Sequence, residues 1–262
     1  MKSRSFRQFF LSLLLFPFLG LSVYADSVNL GTAGSFGVLA GSTVTNTGSS
    51  VIAGNVGVWP GTAITGFPPA IMTGGTMHVG DAVANTAQND LTTAFSTAAG
   101  LTPTAVLTGQ DLGGMTLTPG VYFFSSSAQL TGTLTLNDLG NPNAVFVFQI
   151  GSTLTTASNS AVVFTSSLTD KNVFWQVGSS ATLGTTTAFT GNILALTSIT
   201  LNNAATIGCG SALAINGAVT LNNNVIGGGC RGTSTVPEPG TMSLMGSGLA
   251  ILAAAAFRRM RA

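Results

Sequence analysis

The sequence predicts a mainly β chain: a right-handed three-faced β-solenoid, or β-helix, with one long α-helix packed along one face. Three observations lead there. The first is a recurring unit, a threonine followed by a leucine, at Thr135-Leu136, Thr153-Leu154, Thr182-Leu183, Thr200-Leu201 and Thr220-Leu221. The leucines are 18, 29, 18 and 20 residues apart, and the long gap reads as one coil carrying an extra loop at 166–172. A period near twenty residues with β-branched and aromatic content marks coils that stack into one continuous core. The second is that 145–150 (VFVFQI), 173–177 (VFWQV) and 193–196 (ILAL) are apolar at both parities, as in strands buried on both faces. The third is a single amphipathic stretch at 80–100, the one candidate to cover the outer side of those strands.

In chain order, Met1 to Ala25 has the three parts of a secretory signal peptide: basic Lys2, Arg4 and Arg7, an apolar run from Phe9 to Val23, and a small residue at Ala25. Cleavage is expected before Asp26. Residues 36–40, 43–45 and 51–58 alternate as short strands, and the two prolines of 66–69 (GFPP) make a turn that no interior strand would tolerate. Asp81 is a good helix N-cap. After it Ala84, Ala87, Leu91, Ala94, Phe95 and Ala98 form one stripe, with Gly100 and Pro103 as stop signals. Residues 112–136 return to β through the turn at 118–120 (TPG). A third, less regular strand follows in each coil, at 161–164, 188–189, 206–207 and 225–226, so a coil is a triangle of three short strands.

The C-terminal part, 236–262, runs from 236–240 (VPEPG) through an apolar stretch from Thr241 to Phe257 to Arg258, Arg259 and Arg261. This order resembles the PEP-CTERM sorting signal of Gram-negative bacteria. The resemblance implies handling by an exosortase-type processing enzyme and export to the cell surface or extracellular matrix. Membrane contact is then expected only in transit or through this segment, leaving 26–235 as the mature domain.

Six of the eight basic residues lie in the two address segments. Six aspartates against Lys171 and Arg231 leave the mature domain about four charges negative. That excludes nucleic acid as a partner, which needs a basic footprint. Scattered aspartates and one histidine, His78, offer neither the paired carboxylates of a glycosidase nor a cluster that would hold a metal, so no enzyme activity and no cofactor are expected. Cys209 and Cys230 are 21 residues apart, about one coil, and are expected to form a disulfide across neighbouring coils in an oxidising compartment.

Side chains alternate along a strand. With each leucine inward, its neighbours point outward as Thr135/Asn137, Thr153/Thr155, Thr182/Gly184, Thr200/Asn202 and Thr220/Asn222. This is a grid of hydroxyls and methyls without charge. The segments 30–48 (LGTAGSFGVLAGSTVTNTG), 54–69 (GNVGVWPGTAITGFPP), 118–124 (TPGVYFF), 146–160 (FVFQIGSTLTTASNS), 172–185 (NVFWQVGSSATLGT) and 216–226 (NGAVTLNNNVI) resemble the large microbial ice-binding family. That resemblance implies a discontinuous three-faced solenoid with one helix alongside and an ice-binding face on one sheet. It also implies a Thr-(Ala/Gly)-x-(Thr/Asn) motif, here matched at Thr156 to Asn159, Thr62 to Thr65 and Thr73 to Thr76. The candidate ice-contacting residues are Thr135, Thr153, Thr155, Thr156, Asn159, Thr182, Thr200, Asn202, Thr220 and Asn222, with the ice/water surface as partner. The alternative is a matrix or adhesion protein that grips polysaccharide through Trp59, Tyr122 or Trp175.

Overall fold

The computed structural model describes residues 28–165 and 172–228. The segment expected to be a signal peptide, nearly all of the extra loop, Cys230 and the rest of residues 229–262 lie outside them, and so does the expected Cys209–Cys230 bridge. Within the described residues the chain forms three parallel sheets of nine, seven and eight strands. Each coil visits the first, second and third sheet in turn, for example through Asn192–Ala195, Ile199–Leu201 and Thr206–Gly208. The next coil, Ala212–Ala214, Val219–Asn222 and Val225–Gly228, lies directly on it.

The stack is not in chain order. The coil nearest the N-terminus, Phe36–Ala40, Thr43–Thr47 and Val51–Ala53, docks on the one nearest the C-terminus, through Val38↔Ala212, Thr45↔Thr220 and Ile52↔Ile226. Asn55–Val58, Ala63–Thr65 and Ile71–Thr73 continue the stack, and Met77–Val79 forms the outermost strand of the first sheet at that end.

The strand 145–150 is buried along its whole length, as its double parity requires. Phe146, Phe148 and Ile150 point into the solenoid, and Val145 and Val147 point toward the helix. The inward side carries an aromatic column through Tyr122, Phe148, Trp175 and Phe189, with successive centroids 5.4, 3.9 and 4.8 Å apart. Trp175 donates its indole N–H to the Thr190 carbonyl at 3.0 Å, so the ring is buried without an orphaned donor.

The helix, Ala82–Gly100, lies on the outer side of the first sheet. Asp81 caps it, accepting from the Ala84 amide at 2.8 Å, and Ala84, Ala87, Leu91, Ala94 and Ala98 are buried against Leu39, Val147, Phe174, Leu194 and Leu213. Phe95 is only half-buried, and Gln88 takes a buried place that apolar periodicity does not foresee. Its amide donates to the Ala214 carbonyl at 3.1 Å. Gln149 does the same at the other end, donating to the Ala98 and Leu101 carbonyls at 2.8 Å. Two glutamines thus satisfy backbone carbonyls along the seam between helix and sheet, where an apolar side chain would leave them bare.

The Thr-Leu register holds for three of its five units. Leu183 and Leu201 face each other, and the Ile199↔Val219 pairing places Leu221 next in the column. Leu154, however, stands opposite Ala181, which moves its coil by two residues. Leu136 belongs to Thr133–Leu136 in the third sheet, opposite Phe164, so Thr135 is not on the face of the other threonines. The physical reason is that coil lengths differ at the corners, and a count along the sequence carries each difference into the next coil.

Candidate functional site

The second sheet has its outer side open. Its middle outward rank is read from the pairings: Gln129↔Thr155, Thr155↔Thr182, Thr182↔Thr200, Thr200↔Thr220, Thr220↔Thr45 and Thr45↔Thr65. Six consecutive threonines therefore stand on six stacked strands, about 4.8 Å apart, over a run of about 24 Å. Inward partners hold them in place. Leu154, Ala181, Leu183, Ile199, Leu201, Val219, Leu221 and Val44 are fully or almost fully buried beneath the rank.

Two flanking ranks lie about 6.6 Å to either side. One carries Ser127, Thr153, Ser180, Ser198, Ala218, Thr43 and Ala63, and the other Thr131, Ala157, Gly184, Asn202, Asn222 and Thr47. No charged residue occupies these outward positions. Among the described residues, the hydroxyls of Thr155, Thr182, Thr200, Thr220, Thr45 and Thr65 make no hydrogen bond to protein, leaving them to water. Thr153 differs, since its hydroxyl donates to Ser127 Oγ at 2.8 Å.

The structure thus gathers Thr153, Thr155, Thr182, Thr200, Asn202, Thr220 and Asn222 on one face. It removes two others besides moving Asn159 to a corner. Thr135 lies on the third sheet. Thr156 is buried, because a strand with Leu154 inward and Thr155 outward must turn its next side chain back in. Its hydroxyl meets Thr187 Oγ1 at 2.9 Å and accepts from the Gly184 amide at 2.9 Å. Asn159 is exposed at the corner between the second and third sheets, with φ 61°, and its side-chain oxygen accepts from Thr186 Oγ1 at 2.6 Å. That corner requires left-handed backbone in each coil. It is met at Thr186, Ala204 and Asn223 with φ of 57°, 58° and 53°, and for β-branched Thr186 such a conformation is strained.

Thr45 and Thr65 are the members of the rank that counting repeats does not find. The signal was present locally, since 43–47 (TVTNT) alternates with Val44 inward. Its neighbour in space comes from 175 residues further along the chain (Thr45↔Thr220), and no local pattern states that.

The aromatic residues considered for polysaccharide are not a platform. Trp175 is 0% and Tyr122 6% exposed, both within the core column, and Trp59 is half-buried against the helix-side cluster. His78 lies in the outermost strand of the first sheet and spans from Thr76 Oγ1 at 2.9 Å to Asp81 Oδ2 at 2.8 Å, bracing the helix start. The Ala84 amide, then His78, holds the Asp81 carboxyl below its ordinary value. At the far end of the second sheet, burial pushes the Asp111 carboxyl up. The Gly113 and Thr131 amides outweigh that and leave it lowered. Among the described residues no three His, Cys, Asp or Glu side chains gather at one point, and no helix is long and apolar enough to cross a membrane.

The family model described as Ice-binding-like matches residues 38–227, and the PEP-CTERM protein-sorting motif matches residues 235–261. An ice-binding protein from Nostoc sp. (strain HG1) is 59% identical over 237 residues, covering 88% of this chain and 87% of that protein. Among solved structures, an ice binding protein from an Antarctic biological consortium superimposes with a TM-score of 0.73 at 47% identity, over 76% of this chain and 90% of that one. The ice-binding protein of the Antarctic ascomycete Antarctomyces psychrotrophicus gives 0.72 at 42% identity, over 77% and 98%. With a solenoid of three parallel sheets, a helix along the first and a family match spanning nearly all of the described residues, the chain belongs to the ice-binding-like family.

Proposed function

We propose that this protein adsorbs to ice through the outward ranks of the second sheet, with Thr155, Thr182, Thr200, Thr220, Thr45 and Thr65 at the centre and Thr153, Asn202 and Asn222 beside them. The observation that carries the reading is the unbroken rank of six threonines whose hydroxyls have no protein partner among the described residues. A threonine methyl prevents tight local hydration while its hydroxyl anchors a water, so a regular array holds water in a lattice-like layer. Stacked strands already fix the backbone, so little freedom is lost on binding. Charged groups would break such a layer, and none stands there. The work is adsorption, with no bond made or broken.

The address segments fit an exported protein: residues 1–25 as signal peptide, 26–235 as the ice-binding domain and 236–262 as a segment handled by an exosortase-type enzyme. The place of action is then the outer surface or surroundings of a Gram-negative cell. The test is to grow a single ice crystal in the purified protein. Faceted or arrested growth is expected, and smooth disc-shaped growth identical to buffer would overturn the reading.

A further inference from the structure

Both ends of the solenoid domain meet its surface along one edge. Phe36, the first residue of its strand, enters the first sheet at the edge shared with the third, and its carbonyl there accepts from Ser211 Oγ at 2.6 Å. Just before it, residues 31–35 are tied to the helix, where Thr32 gives both its amide and its hydroxyl to Asp90, at 2.7 and 2.6 Å. At the other end, Gly228 closes the third-sheet strand Val225–Gly228 opposite Gly208, the residue from which the previous coil turns into the first sheet. In a coil of three sides, the edge between the third and first sheets is the corner opposite the second sheet. The sorting motif begins at residue 235, so only residues 229–234 separate it from that corner.

We infer that in the surface-attached protein the domain hangs by the edge between the first and third sheets, so the threonine ranks point away from the cell and the chain bridges a cell to ice. The inference rests on the second sheet being the ice face. Six residues span at most about 20 Å. To turn the second sheet toward the cell, the link would have to run back along the third sheet, a side of about five residues or about 17 Å. Nearly all of its reach would be consumed, and the domain would still be wedged against the surface. The outward arrangement needs none of this length. The helix lies beside the attachment edge, so neither it nor either end of the domain obstructs the second sheet.

The test uses the full chain sorted to the surface of a Gram-negative host, with displayed protein quantified by surface immunolabelling. Cells are presented to an advancing ice front and the fraction held on the ice is measured. Three chains are compared: the wild type, Thr200→Tyr, and a chain with twenty flexible Gly/Ser residues inserted after Thr233. Wild-type cells should be held, Thr200→Tyr cells at least about tenfold less, and the lengthened chain within about twofold of wild type, because the face is already presented. A several-fold gain on lengthening would show that the face was turned inward or sideways, and would overturn the inference. So would wild-type cells that bear the protein yet are not held, or a protein found only in the medium, while the purified chain still shapes ice. Failure of the purified chain to shape ice would instead sink the ice face itself.

Discussion

The second and third sheets are made by the same coils, have similar strand lengths, and differ in what they show to water. On the second sheet one residue type repeats through six strands. On the third, the equivalent outward rank reads Thr133, Ala161, Ala188, Thr206, Val225, Val51 and Ile71. Ile71 and Val225 are 55% and 43% exposed. A solenoid supplies periodic spacing to all of its faces. What separates the two is side-chain uniformity, and only a uniform rank can present water with one repeating pattern.

The largest effect that would break this comparison is a bulky residue in the threonine rank. Thr200→Tyr or Thr220→Tyr is expected to lower ice-growth arrest by at least about tenfold, whereas Thr206→Tyr on the third sheet should change it little. Circular dichroism and thermal unfolding of all three should match the wild type, since each position faces outward. Retained activity in both second-sheet variants would place the ice face elsewhere. Next in size is the support beneath the rank. Leu201→Ala removes a side chain that is 1% exposed and should cost about 2–5 kcal/mol in denaturant unfolding. Its loss of ice activity should follow the unfolded fraction, not precede it.

A smaller effect separates the two halves of threonine. Thr182→Val keeps the methyl shape and loses the hydroxyl, while Thr182→Ser does the reverse. Each should lower activity by a few-fold at most, and comparing them shows which half matters more. The smallest effect concerns pH. The six threonine positions carry no titratable side chain, and Asp111, bridged to Gln129 at the far end of the rank, has its carboxyl held low by the Gly113 and Thr131 amides. Ice activity should therefore be level with pH above the lowered carboxylate range while the fold holds. On the helix side, the Thr32 hydroxyl and then its amide hold the Asp90 carboxyl below its ordinary value. A depressed folded value means that this stabilisation is complete above the ordinary carboxylate range and is lost as pH falls through the lowered one. Hydrogen-exchange protection at residues 31–35, measured against the intrinsic rate at each pH, should therefore fall in acid, and Asp90→Asn should show the lowered protection at neutral pH as well.

The elements most readable in the sequence were those governed by local rules. The helix, expected within 80–100, spans Ala82–Gly100, because Asp81, the alanine stripe and Gly100 mark its ends. The doubly apolar strands located the covered sheet because a strand such as 145–150 has no other way to be satisfied. The candidate face was legible where the coils are regular, at Thr182, Thr200 and Thr220. Thr135 lies on the third sheet because coil length drifts, and Thr156 is buried because the strand's alternation overrides the four-residue motif. The motif at Thr62 to Thr65 touches Thr65, but the place of Thr45 and Thr65 in the rank is beyond local reading for a different reason. Their place depends on which coil the N-terminal strands choose as a neighbour, and that choice is a matter of end-to-end shape, not of spacing.

That docking of the first coil on the last has a consequence for how the molecule is made. The seam Thr220↔Thr45 lies within the threonine rank, so one part of the array cannot exist until nearly the whole chain has been synthesised. Contacts of such long sequence separation form late and slowly. A chain that closes its working surface at the junction of its first and last coils presents the complete rank only as the whole folded molecule, so no fragment lacking either end can carry all six threonines in register.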